Sequence, residues 1–143
     1  RMEKVQVGSE APDFTLPDVD GNPVSLSSFR GKYVLVDFWA AWCPDCRKEN
    51  PNIVAAWNKY KDKNFAVLGV SLDRNRDQWL AAIEKDGLTW TQVSDLKYWS
   101  SDAAVLYCIR WIPMSFLIDP EGKIVAIGLE GEELHNKLEE LLK

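Results

Sequence analysis

The 143-residue sequence predicts an α/β fold, and three observations carry that prediction. Strand-like and helix-like runs alternate from one end of the chain to the other, the pattern of a sheet layered with helices. Two runs, "YVLVDFW" (33–39) and "FAVLGVSL" (65–72), are nearly continuous in apolar and β-branched residues, as strands buried on both faces are. Near the end, "MSFLIDPEGKIVAIG" is a pair of apolar runs joined by Pro-Glu-Gly, a hairpin signal.

The opening stretch "VGSEAPDFTLPDVDGNPVSLSSFRGK" is punctuated by Pro12, Pro17, Gly21, Pro23 and Gly31, which limits it to short strands around Phe14 and Val24. A hairpin or flap is expected there. The run 33–39 follows as a central strand. Ile53, Trp57 and Tyr60 then fall at i, i+4 and i+7, one apolar stripe on a helix that runs to about Lys61 and carries Pro51 inside it as a kink. After the strand at 65–72, Trp79, Leu80 and Ile83 mark a helix ending at Gly87, a residue suited to a left-handed cap. A short strand at Trp90–Val93 and a brief helix at Ser101–Tyr107 precede the hairpin, and Leu134, Leu138, Leu141 and Leu142 give the last helix its buried face.

The length fits one domain over 1–143, with no linker, repeat or low-complexity tract. No apolar run approaches the roughly 18 residues of a membrane span. A formal net charge of −5 and the lack of a Lys/Arg-dense segment argue against nucleic acid, since binding phosphates needs clustered cations. The chain opens Arg1-Met2-Glu3 without an apolar signal region. That leaves a cytoplasmic protein, or the remainder of an exported one, as alternatives.

Chemistry centres on "FWAAWCPDCRKENP" (38–51), where Cys43 and Cys46 stand two residues apart between a strand and a helix. Redox chemistry, metal ligation and a plain staple are all open to such a pair. Three cysteines (the third is Cys108) are too few for a disulfide scaffold in a chain able to build its own core. Zinc is disfavoured, because a structural site needs four Cys/His ligands and His135, the one histidine, lies in a late, charged segment. A thiol at the first turn of a helix faces unpaired backbone N–H groups and the positive end of the helix dipole, both of which favour thiolate. Cys43 is therefore the expected nucleophile, with Cys46 one turn on, placed to resolve a mixed disulfide. Asp37 lies within the central strand, where a carboxylate is costly unless paired or protonated.

From "VDFWAAWCPDCRKENP" onward the chain resembles thioredoxins, and "GSEAPDFTL…DGNPVSLSSFRGK" is similar to the AhpC/TSA and TlpA/ResA-type members of that superfamily. Trp42, Pro51, "YCIRWIP" (107–113), the terminal hairpin and Gly128 match in order and spacing. The resemblance implies a thioredoxin fold: a central mixed β-sheet flanked by helices, with an N-terminal β-hairpin extension. It implies a thiol-disulfide oxidoreductase that reduces protein disulfides, with no bound cofactor beyond the redox-active Cys43–Cys46 disulfide. Protein disulfides or dithiols and an upstream thiol electron donor are the implied partners. The protein is expected to act as a monomer in the bacterial periplasm, anchored or fused through upstream sequence. It further implies a cis Ile112–Pro113 bond beside the sulfurs, and a substrate groove lined by Trp42, Pro44, Ile112 and Pro113. Asp37 matches the buried acid beneath the disulfide, where desolvation raises its pKa and lets it take the proton of Cys46.

Departures from the pattern bear on specificity. Gly69 stands where thioredoxin has a lysine beside the acid. Asp45, between the cysteines, opposes thiolate formation at Cys43 and should make the pair more reducing, or, as a water-screened residue of the first turn, leaves its potential little changed. Trp111 and Met114 flank Ile112–Pro113 where thioredoxin has small or hydroxyl residues, and are expected to widen the apolar wall of the substrate groove, a core position being the alternative for Trp111. Cys108 is expected to be a small buried hydrophobe, Arg47, Lys48 and Glu49 a solvated helical face, and His135 a surface residue. Two alternatives stand beside the oxidoreductase. A peroxiredoxin-like peroxidase is disfavoured because Val36 and Ala40 occupy the positions of the Pro and Thr in its P-x-x-x-T-x-x-C pattern. A non-catalytic binding domain with a structural disulfide has no need of Asp37 or Pro113.

Overall fold

The computed structural model describes residues 5–143, so the opening Arg1-Met2-Glu3 lies outside it. β1 (Thr15–Pro17) and β2 (Pro23–Ser25) pair antiparallel as the expected hairpin. The main sheet is built from β3 (Tyr33–Trp39), β4 (Phe65–Ser71), β5 (Thr91–Val93), β6 (Met114–Ile118) and β7 (Ile124–Ile127). Its order is β5-β4-β3-β6-β7. β3, β4 and β5 run parallel, whereas β6 is antiparallel to β3 and β7 to β6. The parallel strands are joined through α1 (Pro44–Tyr60) and α2 (Arg76–Asp86), as parallel pairs require a crossover. α3 (Asp102–Leu106) precedes β6, and α4 (Glu132–Leu142) closes the chain.

Every residue of β4 and all but the first of β3 are buried, which is why both runs read as continuous apolar stretches. Successive side chains of β3 point to opposite faces. On one face Phe38 meets Tyr107 (ring centroids 5.6 Å) and Phe116 (5.9 Å), and Tyr107 in turn meets Phe14 from the N-terminal extension (5.8 Å). The Tyr107 hydroxyl donates to the Pro12 carbonyl at 2.6 Å, so the extension is fastened to the core by packing and a hydrogen bond. On the other face Leu35 and Asp37 look toward α1, placing the acid directly under the helix that begins at the cysteines.

Helix ends follow their local chemistry. Asn75 caps α2 by accepting the Gln78 N–H at 2.9 Å, and Gly87 ends it at φ 69°, the left-handed position foreseen for it. α1 continues through Pro51 to Tyr60.

Candidate active site

The site lies at the carboxyl end of β3, where loops of an open α/β sheet gather. Cys43 is the N-cap of α1 in an extended conformation, and Pro44 occupies the first helical position, which has no partner for an N–H in any case. The Cys43 Sγ accepts the Cys46 N–H at 3.2 Å, and the two sulfurs are joined as a disulfide. Cys43 is 5% exposed and Cys46 1%, so an incoming group reaches Cys43 first. The Ile112–Pro113 bond is cis, and the Ile112 carbonyl oxygen lies 3.7 Å from the Cys43 Sγ. Pro113 immediately precedes β6, so its missing N–H removes nothing from the sheet.

Asp37 is 4% exposed, and burial, reinforced by the nearby charges of Glu49 and Glu130, pushes its pKa up to about 7. In register beside it stand Gly69 on β4 and Ser115 on β6, with Gln92 next along the row on β5. A Cβ at Gly69 would collide with the Gln92 amide, so the side chain of β5 fills the space above this glycine. Gln92 Oε1 accepts the Trp39 indole N–H at 2.9 Å. Among the described residues, the charges that act on Asp37 are those of Glu49 and Glu130, and none is a cation. A cavity of about 10 Å³, the room of roughly one water molecule, joins Asp37 to Glu49, Glu130, Pro113 and Met114.

The helix face following the cysteines is corrected by the structure. Arg47 is not simply solvated: its Nε and Nη2 donate to the two oxygens of Asp86 at 2.6 and 3.0 Å, and Nη1 to the Ala41 carbonyl at 3.0 Å. Glu49 Oε2 accepts the Gly131 N–H at 3.0 Å, anchoring the start of α4. His135 is half-buried and its Nε2 lies 2.8 Å from Asn52 Oδ1, a second tie between α4 and α1. Lys48 alone of the three is exposed as expected. Cys108 is half-buried rather than buried, because the chain turns through a left-handed φ of 56° there and brings the thiol to the wall of an apolar groove.

Trp42 is 41% exposed, next to Cys43, with the rings of Tyr98 and Trp99 at 5.4 and 6.1 Å. Pro44 and Asp45 are exposed on the first turn of α1. Trp111 is 63% exposed and lines the apolar groove with Cys108 and Met114, while Ile112 and Pro113 are half-buried. Sequence reasoning passed over Asp73, which is fully buried and accepts the Ala41 N–H at 3.0 and 3.1 Å and the Ser71 hydroxyl at 2.6 Å. It fixes the turn that leads into Trp42 and Cys43. Burial holds its pKa above the ordinary carboxylate value, against those hydrogen bonds. The available signal was position, since "SLDRN" leaves the carboxyl end of a buried strand.

A family model described as AhpC/TSA family matches residues 7–127. The chain belongs to the AhpC/TSA family. Within the AhpC/TSA family it is similar to thiol-disulfide oxidoreductase ResA of Bacillus thuringiensis, 32% identical over 143 residues that span all of this chain and 80% of the relative. Among solved structures, the thioredoxin domain of a Bacteroides vulgatus thiol-disulfide oxidoreductase is 48% identical with a TM-score of 0.90, covering 96% of this chain and 99% of that one. The C-terminal domain of a putative thiol-disulfide oxidoreductase from Bacteroides thetaiotaomicron is 38% identical, with a TM-score of 0.91 and 97% of each chain covered. This AhpC/TSA protein is accordingly a thioredoxin-fold thiol-disulfide oxidoreductase of the ResA type. Among the described residues, no helix is long and apolar enough to cross a membrane, and no group of three or more His, Cys, Asp or Glu side chains could hold a metal ion.

Proposed function

We propose that the protein reduces disulfides in partner proteins, with Cys43 as nucleophile, Cys46 as resolving thiol and Asp37 as the base that serves Cys46. The observation that carries the reading is a cysteine pair at the N-terminus of a 17-residue helix, with a buried carboxyl of pKa about 7 beneath it. The helix terminus favours thiolate at Cys43. That thiolate attacks one sulfur of the partner disulfide; the partner's S–S bond breaks, and its other sulfur leaves as a thiolate that takes a proton from solvent. Cys46 then passes its proton to Asp37 and attacks the Cys43 sulfur, releasing the second partner thiolate and closing the Cys43–Cys46 disulfide. Two electrons have moved from the pair to the partner, and an upstream dithiol returns them by the reverse exchange.

A partner segment binding in extended form would lie along the Ile112 backbone as an added strand, its sulfur held beside Cys43. Trp42, Pro44, Ile112 and Pro113 border that path, whereas Trp111 would touch only a partner that reaches the apolar groove. Asp45, exposed in the first turn, would disfavour thiolate and make the pair a stronger reductant. Placement outside the bacterial cytoplasm, with 1–143 as one domain of a longer anchored chain, rests on the resemblance to ResA-type relatives.

Trapping tests the roles. Cys46→Ser should accumulate a mixed disulfide with a protein substrate, and Cys43→Ser should not. In protein with Cys46 intact, Asp37→Asn should slow resolution by roughly a hundredfold, the low end for a general base, and remove its rise near pH 7. Equal trapping by both cysteine variants, or unaltered resolution from pH 6 to 8, would contradict the assignment.

A further inference from the structure

We infer that Arg74, Tyr98 and Trp42 form a specificity subsite that receives a carboxylate side chain flanking the target cysteine of a partner protein. The inference rests on the reading above and adds the chemistry of the partner.

Trp42 adjoins the nucleophile, and its neighbours come from the loop between β5 and α3. Leu96 and Tyr98 in that loop have φ of 59° and 60°, a left-handed conformation that bulky residues seldom adopt and that clusters at ligand-binding segments. The loop is nevertheless fixed. Ser94 Oγ accepts the Leu96 N–H at 3.0 Å, and Asp95 Oδ2 accepts the Asp102 N–H at 2.9 Å. The strained turn therefore holds Tyr98 and Trp99 against Trp42.

Arg74 completes the platform, its guanidinium carbon 4.3 Å from the Tyr98 ring centroid. It follows Asp73, the buried carboxylate that grips the turn before Trp42, so both walls of the platform are fastened to the same loop. A guanidinium over an aromatic ring can keep its in-plane N–H fork available, a geometry matched to carboxylate. Among the described residues, that fork has no hydrogen-bond or ion-pair partner, unlike Arg47 and Arg30, which are paired. Beside it, a depression of about 580 Å³ lined by Trp42, Arg74, Asn75, Gln78 and Tyr98 offers room for a side chain next to a bound cysteine. Arg74 is a cation one aromatic ring away from the nucleophile's neighbour. It complements an acidic residue on the partner.

The test uses disulfide-linked peptides identical except for Glu, Gln or Lys beside the cysteine, with kcat/KM measured on the oxidoreductase cycle. The Glu peptide should be reduced roughly five- to tenfold faster than the Lys peptide at low salt, since complementary charge mainly raises the association rate. That ratio should approach one at about 0.5 M salt, and Arg74→Glu should invert it. A ratio near one in the wild type, or the same ratio in Arg74→Glu, overturns the subsite while leaving the reductase reading intact if the Gln peptide is turned over. Failure to reduce any of the three overturns both. Oxidised glutathione reduced faster than the Glu peptide would give the subsite to a small carboxylated thiol and overturn the protein-partner form.

Discussion

Replacing Asp37 by Asn should stabilise the oxidised protein in a pH-dependent way. Asn has nearly the same shape and no charge, so the difference between the two proteins reads the Asp37 proton. In the folded state the carboxyl titrates at about 7, and in the unfolded chain at 3.8. A folded-state pKa above the unfolded one gives stability that is fully present below 3.8 and is lost as pH rises through about 7. At about 1.36 kcal/mol for each pH unit between the two values, wild type should lose about 4 kcal/mol relative to the variant between pH 3 and pH 8. That is a large share of the roughly 5–15 kcal/mol that stabilises a typical domain. Urea denaturation of both proteins, disulfide intact, across that range measures the gap directly. A constant offset, or a gap that narrows toward high pH, would refute the placement of an uncompensated acid under the cysteines.

Arg47→Ala should cost about 1–2 kcal/mol at neutral pH, the range for a charge-assisted pair that is partly screened by water. Its partner Asp86 is held below the usual carboxylate range, with burial working against the hydrogen bonds from Arg47 and Asn50 and the charge of Arg47. The deficit is therefore present above 3.8 and should shrink as acid protonates Asp86; denaturation curves in which it persists in acid would contradict the pairing. Gly69→Ala should destabilise by about 1–3 kcal/mol through overpacking against Gln92. Gln92→Ala should relieve much of that cost in the double variant, and additive losses in a double-mutant cycle would show the two positions to be uncoupled.

The elements that read most plainly in the sequence are those whose environment is uniform. β3 and β4 are buried on both faces, so their composition alone announces them, and the hairpin at β6–β7 carries its own turn residues. That Cys43 and Cys46 lie at the start of α1 with Asp37 beneath it could be read from the chain because strand, motif and helix are contiguous. Arg47, Glu49 and His135 were not, because what fixes them lies elsewhere: Asp86, Gly131 and Asn52 are 39, 82 and 83 residues away in sequence. A helical face looks solvated until its partners are known. Gly69 was visible as a departure, but its compensation by Gln92 depends on cross-strand register, which a single chain's pattern does not display. Cys108 was misjudged for a local reason, a left-handed backbone angle at a residue that rarely adopts one.

The most direct test of the whole account is an equilibrium redox titration of the Cys43–Cys46 pair against a thiol buffer, followed by the fluorescence of Trp42 and its neighbours. A reductant with Asp45 beside its nucleophile predicts one reversible two-electron transition with a midpoint near or below roughly −230 mV. A midpoint above roughly −180 mV would mark an oxidant or isomerase, and a pair that does not cycle at all would reduce the disulfide to a structural link.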